Sequence, residues 1–167
     1  MPVLPDVLRP GLRLVFCGTG AGEKSAAVGA YYAKPGNRFW PTLHAVGLTP
    51  RRLAPHEFPQ VLAYGIGLTD VGKEHVGQDS RLAVTPADVA LLRAKMLDSA
   101  PGILAFTSKK ASSFVLGRPT GRIFYGPQDE TIGATRLFVL PSPSGLATSY
   151  WTIEPWRALA AVARPDG

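Results

Sequence analysis

The sequence predicts an α/β fold of three layers, α/β/α, with a central, mostly parallel short sheet flanked by helices. Two observations carry that prediction. Short apolar runs alternate with helical patterns along the 167 residues, the order that builds a parallel sheet covered on both faces. Two of those runs also stop abruptly in small-residue loops, Gly18-Thr19-Gly20-Ala21-Gly22 and Ser142-Pro143-Ser144-Gly145-Leu146. Such loops at the ends of parallel strands face each other across one crevice, where open α/β sheets bind ligands.

Residues 12–17 form a mostly apolar run ended by glycine, the mark of a buried strand. Asn37 is placed to cap a helix running through Val46, with Gly47 as its stop. Residues 63–68 are a second strand, closed by Thr69 and Asp70. Thr85-Pro86-Ala87-Asp88 opens the clearest helix, on which Val89, Leu92, Met96 and Leu97 keep helical spacing. A third strand at 102–107 leads into a helix beginning near Ser108, and 136–140 is a further strand. A closing helix, Glu154–Val162, places Trp156, Leu159 and Val162 on one side.

Composition narrows the function. The length fits one domain over residues 1–167, and 46% hydrophobic residues is ordinary for a globular core. No apolar run approaches the roughly 20 residues that span a bilayer, and the first residues lack the pattern of a secretory signal. A single cysteine, Cys17, excludes an internal disulfide and any four-cysteine cluster; it reads as a packing residue. Histidines 44, 56 and 75 lack metal-ligand spacing, so no metal is expected. The net charge of +6 is compatible with a polyanionic partner.

The first loop has part of a dinucleotide fingerprint, but Glu23 stands where a third glycine is needed, and a carboxylate there repels a pyrophosphate. The following segment points elsewhere. Tyr31-Tyr32-Ala33-Lys34-Pro35-Gly36-Asn37-Arg38-Phe39-Trp40 comes a dozen residues after the glycines, and Ser142-Pro143-Ser144-Gly145-Leu146 follows the last strand. Together with Gly65-Ile66-Gly67-Leu68-Thr69, these runs resemble the mismatch-specific uracil/thymine DNA glycosylases of the uracil-DNA glycosylase superfamily. The likeness extends from about Leu12 to Trp156.

That resemblance implies a uracil-DNA glycosylase-like fold and a base-excision enzyme without a cofactor. Its partner is double-stranded DNA with a mismatched or damaged pyrimidine. It also implies a monomer in the cytoplasm, associated with the nucleoid through DNA. A base within a duplex must be flipped out before its glycosidic bond is reached. On the resemblance, Tyr32 is the aromatic on which the flipped base stacks, with Tyr31 as the alternative stacker or both packing the core. Gly18, Thr19, Gly20 and Ser25 border the base, while Ser142, Ser144, Gly145 and Leu146 meet the DNA. Leu146 is the wedge that fills the vacated stack, or else a plain loop anchor. Lys24, Lys34, Arg38, Lys73, Lys109 and Lys110 are candidates for phosphate contacts.

Two departures from the family pattern matter. Ser142 replaces the asparagine that usually leads the second loop. Gly20 stands where the first loop normally carries a water-positioning asparagine. A second group must activate water, or the chain binds damage without cleaving it. Asp70, at the carboxyl end of the second predicted strand, is the chosen catalytic residue, against an ordinary turn or cap role. Asp79 ranks second and Glu23 third. A serine at 142 and the absence of any side chain at Gly20 predict a roomy pocket and broad substrate tolerance. A small-molecule nucleotide-binding role remains the outlying alternative.

Overall fold

The computed structural model describes residues 3–73 and 84–163. Five strands form the central sheet: β1 Leu14–Gly18, β2 Ile66–Asp70, β3 Ile103–Phe106, β4 Gly126–Ile132 and β5 Thr135–Val139. Their spatial order is β2-β1-β3-β5-β4. Four strands run parallel, and only β4, at one edge, is antiparallel to its neighbour β5.

The helices are α1 Glu23–Val28, α2 Phe39–Ala45, α3 Pro86–Ser99, α4 Lys109–Leu116 and α5 Glu154–Val162, joined by a 3-10 helix over Pro55–Tyr64. Side chains alternate across each strand, so the sheet feeds two cores. Leu14, Phe16, Leu68, Ala105 and Phe138 pack beneath α2, α5 and the 3-10 helix. Val15, Cys17, Leu104, Phe106 and Val139 pack beneath α3 and α4. The predicted three-layer fold is thus the one observed. Aromatic rings lock the first core: Phe16 meets Phe39 edge-on at 5.1 Å and stacks on Trp156 at 5.8 Å. Full burial of each such side chain contributes roughly 1.5–3 kcal/mol.

Several local expectations shift. The second strand starts at Ile66, three residues later than the apolar pattern suggested, because Ala63 and Tyr64 finish the 3-10 helix. Gly65, with φ of 75°, turns the chain between them. Thr69 and Asp70 are consequently inside β2 rather than after it. Asn37 does not cap α2 as its N-cap; that position is Arg38, while the Asn37 carboxamide oxygen accepts from the Phe39 amide at 2.9 Å. Thr85 does cap α3, in a reciprocal box with Asp88. Leu97 and Val162, assigned to apolar faces, are exposed, because each helix buries a narrower stripe than its sequence offers.

Candidate active site

All four parallel strands end at one cavity of about 730 Å³. Gly18 comes from β1, Asp70 from β2, Thr107 and Ser108 from the end of β3, and Ser142–Leu146 from beyond β5. This crevice at the strand carboxyl ends is where an open parallel sheet offers a site.

The first loop is tied to β2 by backbone bonds, Val71 N–H to Gly18 O at 2.9 Å and Gly72 N–H to Thr19 O at 2.7 Å. Gly18 and Asp70 are register partners across β1 and β2. Their contact explains the glycine: a Cβ on Gly18 would lie 2.8 Å from Asp70 Oδ1 and 3.3 Å from the Tyr32 hydroxyl. The bare backbone at 18 lets the carboxylate sit beneath the loop and face the cavity. Asp70 is 5% exposed. Burial raises its carboxyl above the usual aspartate range, outweighing the opposing charge and hydrogen bond of Lys73.

Tyr32 lines the cavity with its ring stacked on Phe39, centroids 3.9 Å apart, and its hydroxyl 3.1 Å from Thr107 Oγ1. Its φ of 53° is uncommon for a side-chain-bearing residue and is stabilised by these contacts. Tyr31 turns away. It is buried against Phe58 and donates to Pro5 O at 2.8 Å. Ser25, at the back of the first loop, accepts from the Ala33 amide at 3.0 Å, pinning the turn that presents Tyr32. Thr19 and Gly20 also line the cavity, and Gly20 brings no functional group to it.

The second loop braces itself. Ser142 Oγ accepts from the Ser144 amide, and Ser144 Oγ accepts from the Leu146 amide, each at 3.2 Å. Gly145 passes so near Gly36 that a Cβ would sit 3.2 Å from its carbonyl oxygen. Leu146 projects from this rigid turn with 70% of its surface exposed, on the rim of the cavity.

Of the basic residues, Lys24, Lys34 and Lys110 stand exposed on the cavity rim. Lys109 lies 4.5 Å over the Tyr125 ring. Arg38 is turned to the second loop instead: its amide donates to Pro143 O at 2.8 Å and its guanidinium lies 5.3 Å over Trp151. Lys73 is no surface phosphate ligand. It is buried and paired with both Asp70 and Asp6 at 3.4 Å. Of the rival carboxylates, Glu23 is exposed at the cavity edge, and Asp79 lies outside the described residues. Thr107, Ser108 and Asn37 line the cavity, although the sequence marks none of them as a site residue and offers Asn37 only as a helix cap and part of the run ending in Trp40. The rule that selected Asp70, position at a strand's carboxyl end, also selects the first two.

Among the described residues, no group of His, Cys, Asp or Glu is placed to hold a metal ion. None of their helices is long and apolar enough to cross a membrane. The sequence model of the Uracil DNA glycosylase superfamily matches residues 5–163, nearly the whole chain. The chain belongs to that superfamily. Membership supports uracil DNA glycosylase activity, a hydrolase chemistry of base excision repair, with DNA as the substrate. The fold is also similar to that of a "putative Uracil DNA glycosylase from Methanosarcina acetivorans" solved by solution NMR, at a TM-score of 0.64. The two chains are 20% identical over 96% of each. Within the superfamily fold, the cavity described here occupies the end of the sheet where Gly18 and Asp70 meet.

Proposed function

We propose that this chain is a one-domain, monofunctional uracil DNA glycosylase acting on mismatched duplex DNA, with Asp70 as the group that activates water. The observation carrying this reading is the buried Asp70 carboxylate facing the cavity beneath a loop that has no side chain at Gly20. A mispaired uracil leaves the helix at a smaller unstacking penalty than a paired base. It enters between the two loops, with the Tyr32 ring as its platform, a contact of about 1–3 kcal/mol per base. Leu146 fills the space left in the duplex.

Bond cleavage then follows from charge. As the C1′–N1 bond breaks, its electron pair leaves with the pyrimidine, and positive charge develops on the sugar. The Asp70 carboxylate opposes that charge and takes a proton from the water whose oxygen bonds to C1′. Donors around the cavity, including the Thr19 and Ser25 hydroxyls and the first-loop amides, stabilise the departing anion. An Asp carboxyl raised above its usual range is better matched to proton transfer near neutral pH than an unperturbed one. A pocket without an amide side chain at position 20 also has room for other damaged pyrimidines.

Single-turnover cleavage of a duplex with one uracil–guanine mismatch tests the reading, wild type beside Asp70→Asn. The variant is expected to lose about two orders of magnitude in rate while still binding the duplex. Equal rates would remove Asp70 from the role. A wild type that binds the mismatch and never cleaves it would make the chain a damage-binding protein, the reading that Gly20 favours.

A further inference from the structure

Directly behind Asp70, away from the cavity, lies a charged cluster that the proposed chemistry does not use. Lys73 is 8% exposed and does not line the cavity. Its amino group lies 3.4 Å from Asp70 Oδ2 and 3.4 Å from Asp6 Oδ1, and it donates to the Tyr31 hydroxyl at 2.6 Å. Asp6 also accepts from Lys95 at 2.6 Å and from the Thr69 hydroxyl at 2.7 Å. The segment carrying Asp6 is fixed against β2 and its sequel, with Val7 paired to Leu68 and the Val3 amide donating to Lys73 O.

We propose that Lys73 is a positioning residue that keeps the Asp70 carboxylate ionised and aimed at the cavity, with Asp6 of the N-terminal segment setting how strongly it does so. The inference rests on the reading of Asp70 as the water-activating group. A buried carboxylate without a compensating charge takes up a proton instead of staying ionised. The groups facing Asp70 come from every side. Lys73 follows it in the chain, Asp6 comes from the N-terminal segment, Lys95 from α3, Cys17 from β1, and Tyr31 and Tyr32 from the turn after α1. Among the described residues, Lys73 is the one basic group in direct contact. Asp6 opposes it in two ways, by its own charge and by sharing the amino group.

The geometry also settles what Lys73 cannot be doing in this arrangement. Enclosed behind Asp70 and outside the cavity lining, its amino group is not presented to a sugar carbon. Its influence passes through the carboxylate. Removing it should therefore change the pH at which Asp70 works more than the rate reached once Asp70 is ionised.

The test combines two readouts on folded protein. Asp70 is titrated by carbon NMR of aspartate-labelled protein, its signal assigned by loss in Asp70→Asn. Single-turnover cleavage of the uracil–guanine duplex is followed across the same pH range. In Lys73→Met the Asp70 midpoint and the acid limb of the rate should move together to higher pH. The rate should fall about tenfold or more at the acid end and recover to within about threefold at the alkaline end. Lys73→Arg should restore both. Asp6→Asn should move both to lower pH, and it carries the test if Lys73→Met does not fold.

An unmoved Asp70 midpoint in Lys73→Met, or in Asp6→Asn where that variant stands in, would overturn the proposal. So would a pH-independent loss of rate, which marks a purely structural lysine. If Asp70→Asn cleaves as fast as wild type, the catalytic reading of Asp70 fails. The titration midpoints still decide whether Lys73 controls the carboxylate.

Discussion

Lys73 meets Asp70 at 3.4 Å with the two side chains 8% and 6% exposed, whereas Arg51 meets Glu57 at 2.7 Å with the arginine 51% exposed. The exposed pair has the better geometry: both guanidinium arms reach the carboxylate, at 3.0 and 2.7 Å. Its purpose is local. Glu57 also accepts from the Ala54 amide at 2.9 Å, satisfying a donor at the start of the 3-10 helix. Water screens such pairs, and they contribute little. The buried pair has longer contacts and a real desolvation penalty, so stability does not account for its presence. What distinguishes it is that its carboxylate lines the cavity. Similar charge chemistry serves a helix end in one region and, on the proposed reading, the water-activating carboxylate in the other.

That contrast can be broken most severely at the buried end. The largest effect expected is the roughly hundredfold loss in Asp70→Asn already described. Gly18→Ala comes next. Its methyl group would press on Asp70 Oδ1 from 2.8 Å, so the carboxylate must move. Single-turnover cleavage should fall about tenfold or more, because misplacement of a reacting group by an ångström is costly. A rate within twofold of wild type would show that the position of Asp70 is not tightly specified.

Leu146→Ala tests a residue with neither burial nor charge. It should leave Tm unchanged and lower cleavage of the mismatched duplex about three- to tenfold, through weaker occupancy of the emptied stack. A wild-type rate on single-stranded substrate would sharpen this result, since a wedge matters only in a duplex.

The smallest effect belongs to the exposed pair, and it is one of stability alone. The Arg51 hydrogen bond and the Ala54 amide hold the Glu57 carboxyl at about 2, below its ordinary 4.5. A lowered carboxyl contributes stability that is present above about 4.5 and lost as pH falls toward about 2. Thermal melts of Glu57→Gln should therefore differ slightly from wild type at pH 7 and converge on it in that acid window. Cleavage at pH 7 should not change. A difference that persists at pH 2 would mean that Glu57 acts through packing rather than charge.

Much of the sheet was legible because β1, β3 and β5 are short, apolar and bounded by clear stops. β4 was not. Its sequence GPQDETI is polar, and only its two ends are buried, as befits an edge strand with one covered neighbour. The 3-10 helix escaped notice because Pro59 lies inside it, where a proline argues against a regular helix. α1 is six residues long and follows three glycines within five positions, too brief for a helical period to register. Tyr32 and Leu146 could be singled out from sequence because their neighbours, Pro35 to Trp40 and Ser142 to Gly145, form recognisable runs. Lys73 was legible only as a candidate phosphate contact, since a lysine in a polar stretch reads as solvated until its burial beside Asp70 and Asp6 is known.

The sequence by itself determined the layered fold, the two loops that bound the crevice, and the loss of the amide at Gly20. These depend on local pattern: apolar period, glycine position and residue order. Only the tertiary structure decided that Asp70 belongs inside β2 opposite Gly18, and that Lys73 and Asp6 converge behind it. Those three charges lie up to 67 residues from one another in sequence, from Asp6 to Lys73. They meet because parallel register fixes which strand ends adjoin, and because the N-terminal segment pairs along β2 through Val7 and Leu68. Burial and charge proximity are properties of that packing, and no stretch of the chain encodes them alone.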